Sequence, residues 1–78
     1  MNIGNLNSKV SLYPNPVKTH LNINWSNFER AVISELSGKQ LFEANTRTID
    51  LQNLNAGVYL ITLSGTESER ITYRIIKE

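Results

Sequence analysis

Hydrophobic and polar residues alternate in short runs along this 78-residue chain. No segment carries apolar residues at helical spacing over the roughly 11 positions a helix requires. β-rich runs recur about every 8–12 residues, punctuated by Pro, Gly, Asn and Ser, the spacing of a small sandwich or barrel. The cleanest alternation spans residues 20–25, with Leu21, Ile23 and Trp25 pointing one way and His20, Asn22 and Asn24 the other. The pattern predicts six further strands over residues 10–13, 31–36, 39–44, 48–51, 58–63 and 69–77. Ala31 and Ile33, Ile49 and Leu51, and Ile71, Tyr73 and Ile75 form their inward sets. The nearly continuous apolar run over residues 58–63 reads as a central strand covered on both faces.

The connections are as legible as the strands. Pro14 and Pro16 remove two backbone donors and hold Tyr13 and Asn15 extended, giving a stiff crossing that carries the chain between sheet edges. Residues 26–29 read as a turn, and Ser37-Gly38 as a tight hairpin ahead of an edge strand. Residues 45–47 turn again, residues 53–57 make a corner, and residues 64–68 form a polar hairpin loop. Seven short antiparallel strands cannot give one flat sheet a dry core. The expected fold is therefore all-β, a seven-stranded antiparallel Ig-like β-sandwich over residues 10–78. Polar, Asn-rich residues 1–9 read as a flexible linker ahead of it.

Composition narrows the functional classes. Eight basic and seven acidic side chains leave a net charge of +1, interspersed along the chain, so no nucleic-acid footprint stands out. The absence of cysteine excludes a disulfide framework and thiolate metal sites, yet is compatible with an extracellular home. No apolar run approaches the roughly 18–20 residues of a membrane-spanning helix. The first residues lack the basic start and apolar stretch of a signal peptide, so an exported protein would carry that address elsewhere.

No constellation points to catalysis, a metal or a cofactor. His20 is the single imidazole; Asp50 and a serine would complete a triad only on paper, since no serine sits in a strained elbow. The carboxylates lack calcium-loop spacing, and the glycines form no phosphate loop. Trp25 reads as core rather than as a sugar platform. Leu54, Gly57 and Tyr59 place a tyrosine just after a corner at the start of a central strand. That is the position of the tyrosine corner of Ig-like folds, whose hydroxyl bonds back to upstream backbone. Asn24-Trp25-Ser26 fits the glycosylation pattern, but within a strand.

In order and spacing, these elements resemble the type A C-terminal sorting domain of the type IX secretion system. An apolar strand is followed by Tyr13, Pro14, Asn15 and Pro16, then by the alternating Leu21-Asn22-Ile23. Ile33, Glu35, Leu36 and Gly38 match a strand ending in an acid and a Gly turn. Ile49-Asp50-Leu51 with Leu54, Gly57, Val58 and Tyr59 match the central segment, and Arg74-Ile75-Ile76-Lys77 the basic–apolar–apolar–basic close. Ser34 replaces a frequent aromatic, and Glu78 adds an acid after the last lysine.

The resemblance implies a non-enzymatic address label. The domain would direct an N-terminally fused cargo across the outer membrane, to the cell surface or beyond. Its partners would be the outer-membrane translocon or shuttle and a sortase-like peptidase that cuts in or before residues 1–9. The expected reading surface is the last strand, with Ile71, Tyr73, Arg74, Ile75, Ile76 and Lys77 offered for strand addition and Arg74 and Lys77 supplying cations. Exposed edges also allow a strand-mediated dimer. The competing classes are a small adhesive or carbohydrate-binding module using Tyr13, Tyr73 or Trp25, and a plain structural spacer.

Overall fold

The computed structural model describes residues 10–78; the lead-in over residues 1–9 lies outside the described residues. Seven strands follow in order: β1 (Ser11–Tyr13), β2 (His20–Asn24), β3 (Phe28–Glu35), β4 (Gln40–Ala44), β5 (Thr48–Asp50), β6 (Gly57–Gly65) and β7 (Arg70–Lys77). They form a three-stranded sheet of order β1-β2-β5 and a four-stranded sheet of order β4-β3-β6-β7. Every ladder is antiparallel. The arrangement is the expected β-sandwich. Strands β1, β2 and β5 take the A, B and E places of an Ig-like sandwich and β3, β6 and β7 the C, F and G places. β4 lies beside β3 rather than beside β5, as an added strand does in the variable-type fold.

The core sits between the sheets and is built by alternation. The three-stranded sheet contributes Leu21, Ile23 and Ile49, with Trp25 and Leu51 just past its strand ends; the four-stranded sheet contributes Ala31, Ile33, Ile61, Leu63 and Ile75. Each fully buried aliphatic side chain contributes about 1.5–3 kcal/mol relative to exposure, and these face one another from both layers. Arg47 ties the layers' edge together. Its guanidinium donates to the Trp25 carbonyl and lies over the Phe28 ring, 5.5 Å from the centroid.

Two expectations are corrected. Phe28 and Glu29 belong to β3 rather than to the preceding turn. Ser26 and Asn27 alone reverse the chain, with Phe28 N–H donating to the Trp25 carbonyl at 3.1 Å, and the Phe28 side chain enters the core. Strand β6 is central, but only one face is covered. Ile61, Leu63 and Gly65 are buried, whereas Val58, Leu60, Thr62 and Ser64 alternate onto an outer face that has no second layer among the described residues. A run of Val, Tyr, Leu, Ile and Thr suits either environment, so continuity of apolar residues did not distinguish them.

The Ser37-Gly38 hairpin closes as expected. Gly38 adopts a φ of 99°, a conformation a side chain would strain, and its N–H donates to the Glu35 carbonyl at 2.9 Å.

Candidate functional site

The last strand and the proline crossing meet. Pro14 and Pro16 have no N–H, so Val17 supplies the first backbone donor after the Tyr13-Pro14-Asn15-Pro16 segment. Val17 N–H donates to the Ile76 carbonyl at 2.7 Å, and Glu78 N–H donates to the Val17 carbonyl at 2.8 Å. This makes a short parallel bridge to the outer edge of β7. The Asn15 carboxamide oxygen accepts the Ile76 N–H at 3.0 Å. The Val17 side chain is fully buried, anchoring the bridge from inside. Two motifs at opposite ends of the chain therefore form one unit, with Asn15 in the role a neighbouring strand's carbonyl would play.

The parity of β7 follows from this contact. Ile76 turns its amide and carbonyl away from β6, so those of Arg74, Thr72 and Arg70 lie on the same outer edge. Val17 and Asn15 occupy the edge only at Ile76; among the described residues, no backbone partner pairs with Arg70, Thr72 or Arg74 there. The alternate residues Ile71, Tyr73, Ile75 and Lys77 pair with β6 and face inward.

The expected site residues thus divide between two roles. Ile75 is fully buried, and Ile71 and Tyr73 pack against the core from the inner face. Arg74 and Ile76 point outward from the four-stranded sheet. Lys77, expected to offer a cation, departs from the expectation: it is only 8% exposed. Its stem follows Ile75 inward, and its Nζ donates to the Glu78 carbonyl at 2.9 Å. Period-two alternation places residue 77 on the face of residue 75, which overrides the polarity of its head group.

The remaining motif residues support this end of the molecule. Gly57 is the ladder partner of Lys77. Leu54 packs against the core from the corner. The Tyr59 hydroxyl donates to the Asn55 carbonyl at 2.7 Å, the bond expected of a tyrosine corner. Pro14, Asn15 and Pro16 are exposed, as is Tyr13 at 51%.

Elsewhere the side chains are structural or uncommitted. His20 and Asp50 are ladder partners across β2 and β5, but Asp50 Oδ1 accepts from the Gln52 amide and the His20 ring meets the Thr19 hydroxyl. No serine joins them. Trp25 is 3% exposed, which removes it from any ligand platform. A shallow depression of about 550 Å³ lies at the far end of β7 from Lys77, lined by Glu29, Arg30, Glu69 and Arg70 among others, so its charges cancel. Among the described residues no group of His, Asp and Glu has metal-binding geometry.

Three structural side-chain roles escaped the sequence reading. Arg47 caps the Trp25 turn. Asn27 donates to Glu69 Oε2 at 2.8 Å across the strand ends, and this bond holds the Glu69 carboxyl below the usual glutamate range. Gly65 lies in β6 where Trp25 crosses it, and a Cβ there would fall 2.7 Å from Trp25 Cη2. None of these has a local signature, because each partner lies more than twenty residues away in sequence.

The family model described as secretion system C-terminal sorting domain matches residues 11–78. No curated protein and no solved structure matches the chain. The match spans nearly the whole chain, and the protein belongs to the family of C-terminal sorting domains of the type IX secretion system. The family is one of non-catalytic signals, whose membership implies engagement with the type IX machinery, a fused N-terminal cargo and export toward the cell surface.

Proposed function

We propose that residues 10–78 are a folded address on a larger secreted protein, read through the outer edge of β7 and removed after export. The cargo precedes the domain, and an outer-membrane shuttle or translocon recognises the strand by pairing with it. A sortase-like peptidase then cuts in or before residues 1–9, releasing the cargo to the surface or the medium. The domain's own role is non-catalytic.

The observation that carries this reading is the state of the β7 edge. Strands β1 and β5, the edges of the smaller sheet, are three residues each, and β4 has five. Strand β7 has eight, presents Arg70 and Arg74, and among the described residues is closed only at Ile76. Short edges resist pairing, whereas a long open edge invites it.

A reporter fused ahead of the domain, expressed in a type IX-secreting bacterium, tests the reading. Deleting residues 74–78 would also remove the buried Ile75 and the Val17 bridge, so a loss of export could reflect unfolding. Arg74→Glu leaves both intact. Reduced export of folded Arg74→Glu supports recognition at β7, and unchanged export argues against it. Mass spectrometry of the released reporter locates the cut; a fusion that remains intact outside the cell would refute cleavage.

A further inference from the structure

The outer face of the four-stranded sheet gathers its exposed apolar residues at one end. Val58 and Ile76 are ladder partners on that face and are 38% and 44% exposed. Leu60 follows Val58 on the same face, and the half-buried Val32 lies diagonally across on β3. Neither packs against the core. Leu36, 58% exposed, leaves β3 at the same end, directly after the Glu35–Tyr59 pair. Among the described residues, three of the four large exposed hydrophobic residues therefore gather at this one end of one sheet. Such clustering marks interaction surfaces, whereas scattered exposed apolar residues carry no meaning.

Arg74 stands inside this cluster. Its ladder partner is Leu60, and its same-face neighbours along β7 are Thr72 and Ile76. The one ion pair among the described residues is Arg30–Glu43, so no acid neutralises Arg74. The backbone of Arg74 also belongs to the open edge of β7. Apolar area, a lone cation and free main-chain groups thus meet at one place. A lipid surface can match the first two, but only a polypeptide can match all three.

We propose that this patch, formed by Leu36, Val58, Leu60, Arg74 and Ile76, docks an extended segment of the protein that reads the domain. The segment carries apolar side chains and at least one carboxylate on the same face, at every second residue. It pairs with β7 between Arg70 and Arg74, covers Val58 and Ile76 with its apolar side chains, and sets the carboxylate against Arg74. This rests on the sorting reading above and adds the chemistry of the partner. A second copy of the chain fits poorly, since β7 pairing antiparallel with itself about Thr72 would bring Arg70 and Arg74 into opposition.

The test uses the wild-type chain, the double variant Val58→Thr, Ile76→Thr, and His20→Gln on the other sheet as a control. All three changed positions are exposed, and Thr retains strand preference. The probe is a synthetic octapeptide, Ile-Thr-Glu-Thr-Ile-Thr-Glu-Thr, which sets Ile and Glu on one face of a strand, compared with its counterpart carrying Lys for Glu, in an NMR titration. The expected result is saturable shifts at Val58, Leu60, Arg74 and Ile76 with the acidic peptide, at least tenfold weaker binding of the basic one, and loss of both in the double variant. Export of a fused reporter falls at least tenfold in the double variant and is unchanged in His20→Gln. Equal binding of the two peptides to the wild-type chain overturns the proposal. So does wild-type export by the double variant, co-sedimentation of the chain with anionic vesicles that the double variant abolishes, or a dimer that it dissociates. If the wild-type chain fails to export its reporter, the sorting reading falls, while the titration still decides the chemistry of the patch.

Discussion

The carboxamide of Asn15 accepts the backbone N–H of Ile76 across 61 residues of sequence. It completes a row begun by Val17, which bonds the same residue's carbonyl. The Tyr-Pro-Asn-Pro segment and the final strand are one structural unit. Asn15 lies between the two prolines, and its side-chain oxygen accepts as the carbonyl of a neighbouring strand would.

Asn15→Ala removes that acceptor and leaves the Ile76 amide to solvent. The expected loss is about 1 kcal/mol, the net worth of an exposed hydrogen bond, read as a lower urea midpoint with an unchanged slope. Asn15→Asp keeps the acceptor and is expected to retain most of the wild-type midpoint.

Tyr59→Phe deletes the hydroxyl bonded to the Asn55 carbonyl and leaves the ring in place. About 1 kcal/mol of stability should disappear. Amide exchange at the corner should quicken more than exchange in the middle of β6.

At Gly65 a Cβ would meet both the Glu69 carboxylate and the Trp25 ring. Gly65→Ala is expected to destabilise by about 1–3 kcal/mol, the range for overpacking, with a change in Trp25 fluorescence as the indole shifts. A stable Gly65→Ala protein with native emission would contradict the packing described here.

Glu69 supplies a pH dependence whose sign is fixed. Its folded-state pKa is lowered, first by the Asn27 side chain and then by backbone amides, against an opposing effect of burial. The bonded carboxylate therefore adds stability above the pKa of an unfolded-chain glutamate, and this is lost as pH falls through the lower folded value. Because the group is exposed, the effect is modest. Glu69→Gln should flatten the acid side of the stability profile and change little at neutral pH.

What the sequence revealed was what alternation controls. Leu21, Ile23 and Trp25 pointed inward as their spacing requires, and Gly38 and Tyr59 were legible because a hairpin and a corner are local. Phe28 was harder, since turn residues on one side left its side undecided. The outward face of β6 was illegible for a different reason: whether a second layer covers Val58 and Leu60 depends on the whole chain. The placement of the candidate site was similarly divided. Arg74 and Ile76 could be assigned to the last strand, and the inward turn of Lys77 follows the alternation of Ile71, Tyr73 and Ile75 although its charge argued for the outside; the Asn15 contact needed the sheet order, which no local pattern encodes.

Export dependence tests the central claim most directly. A reporter joined ahead of residues 1–78 is expressed in a type IX-secreting bacterium and in an isogenic strain lacking that system, each with an inner-membrane signal peptide. The account predicts reporter outside the first strain and in the periplasm of the second. Equal release from both, or retention in both with the domain folded, would contradict it.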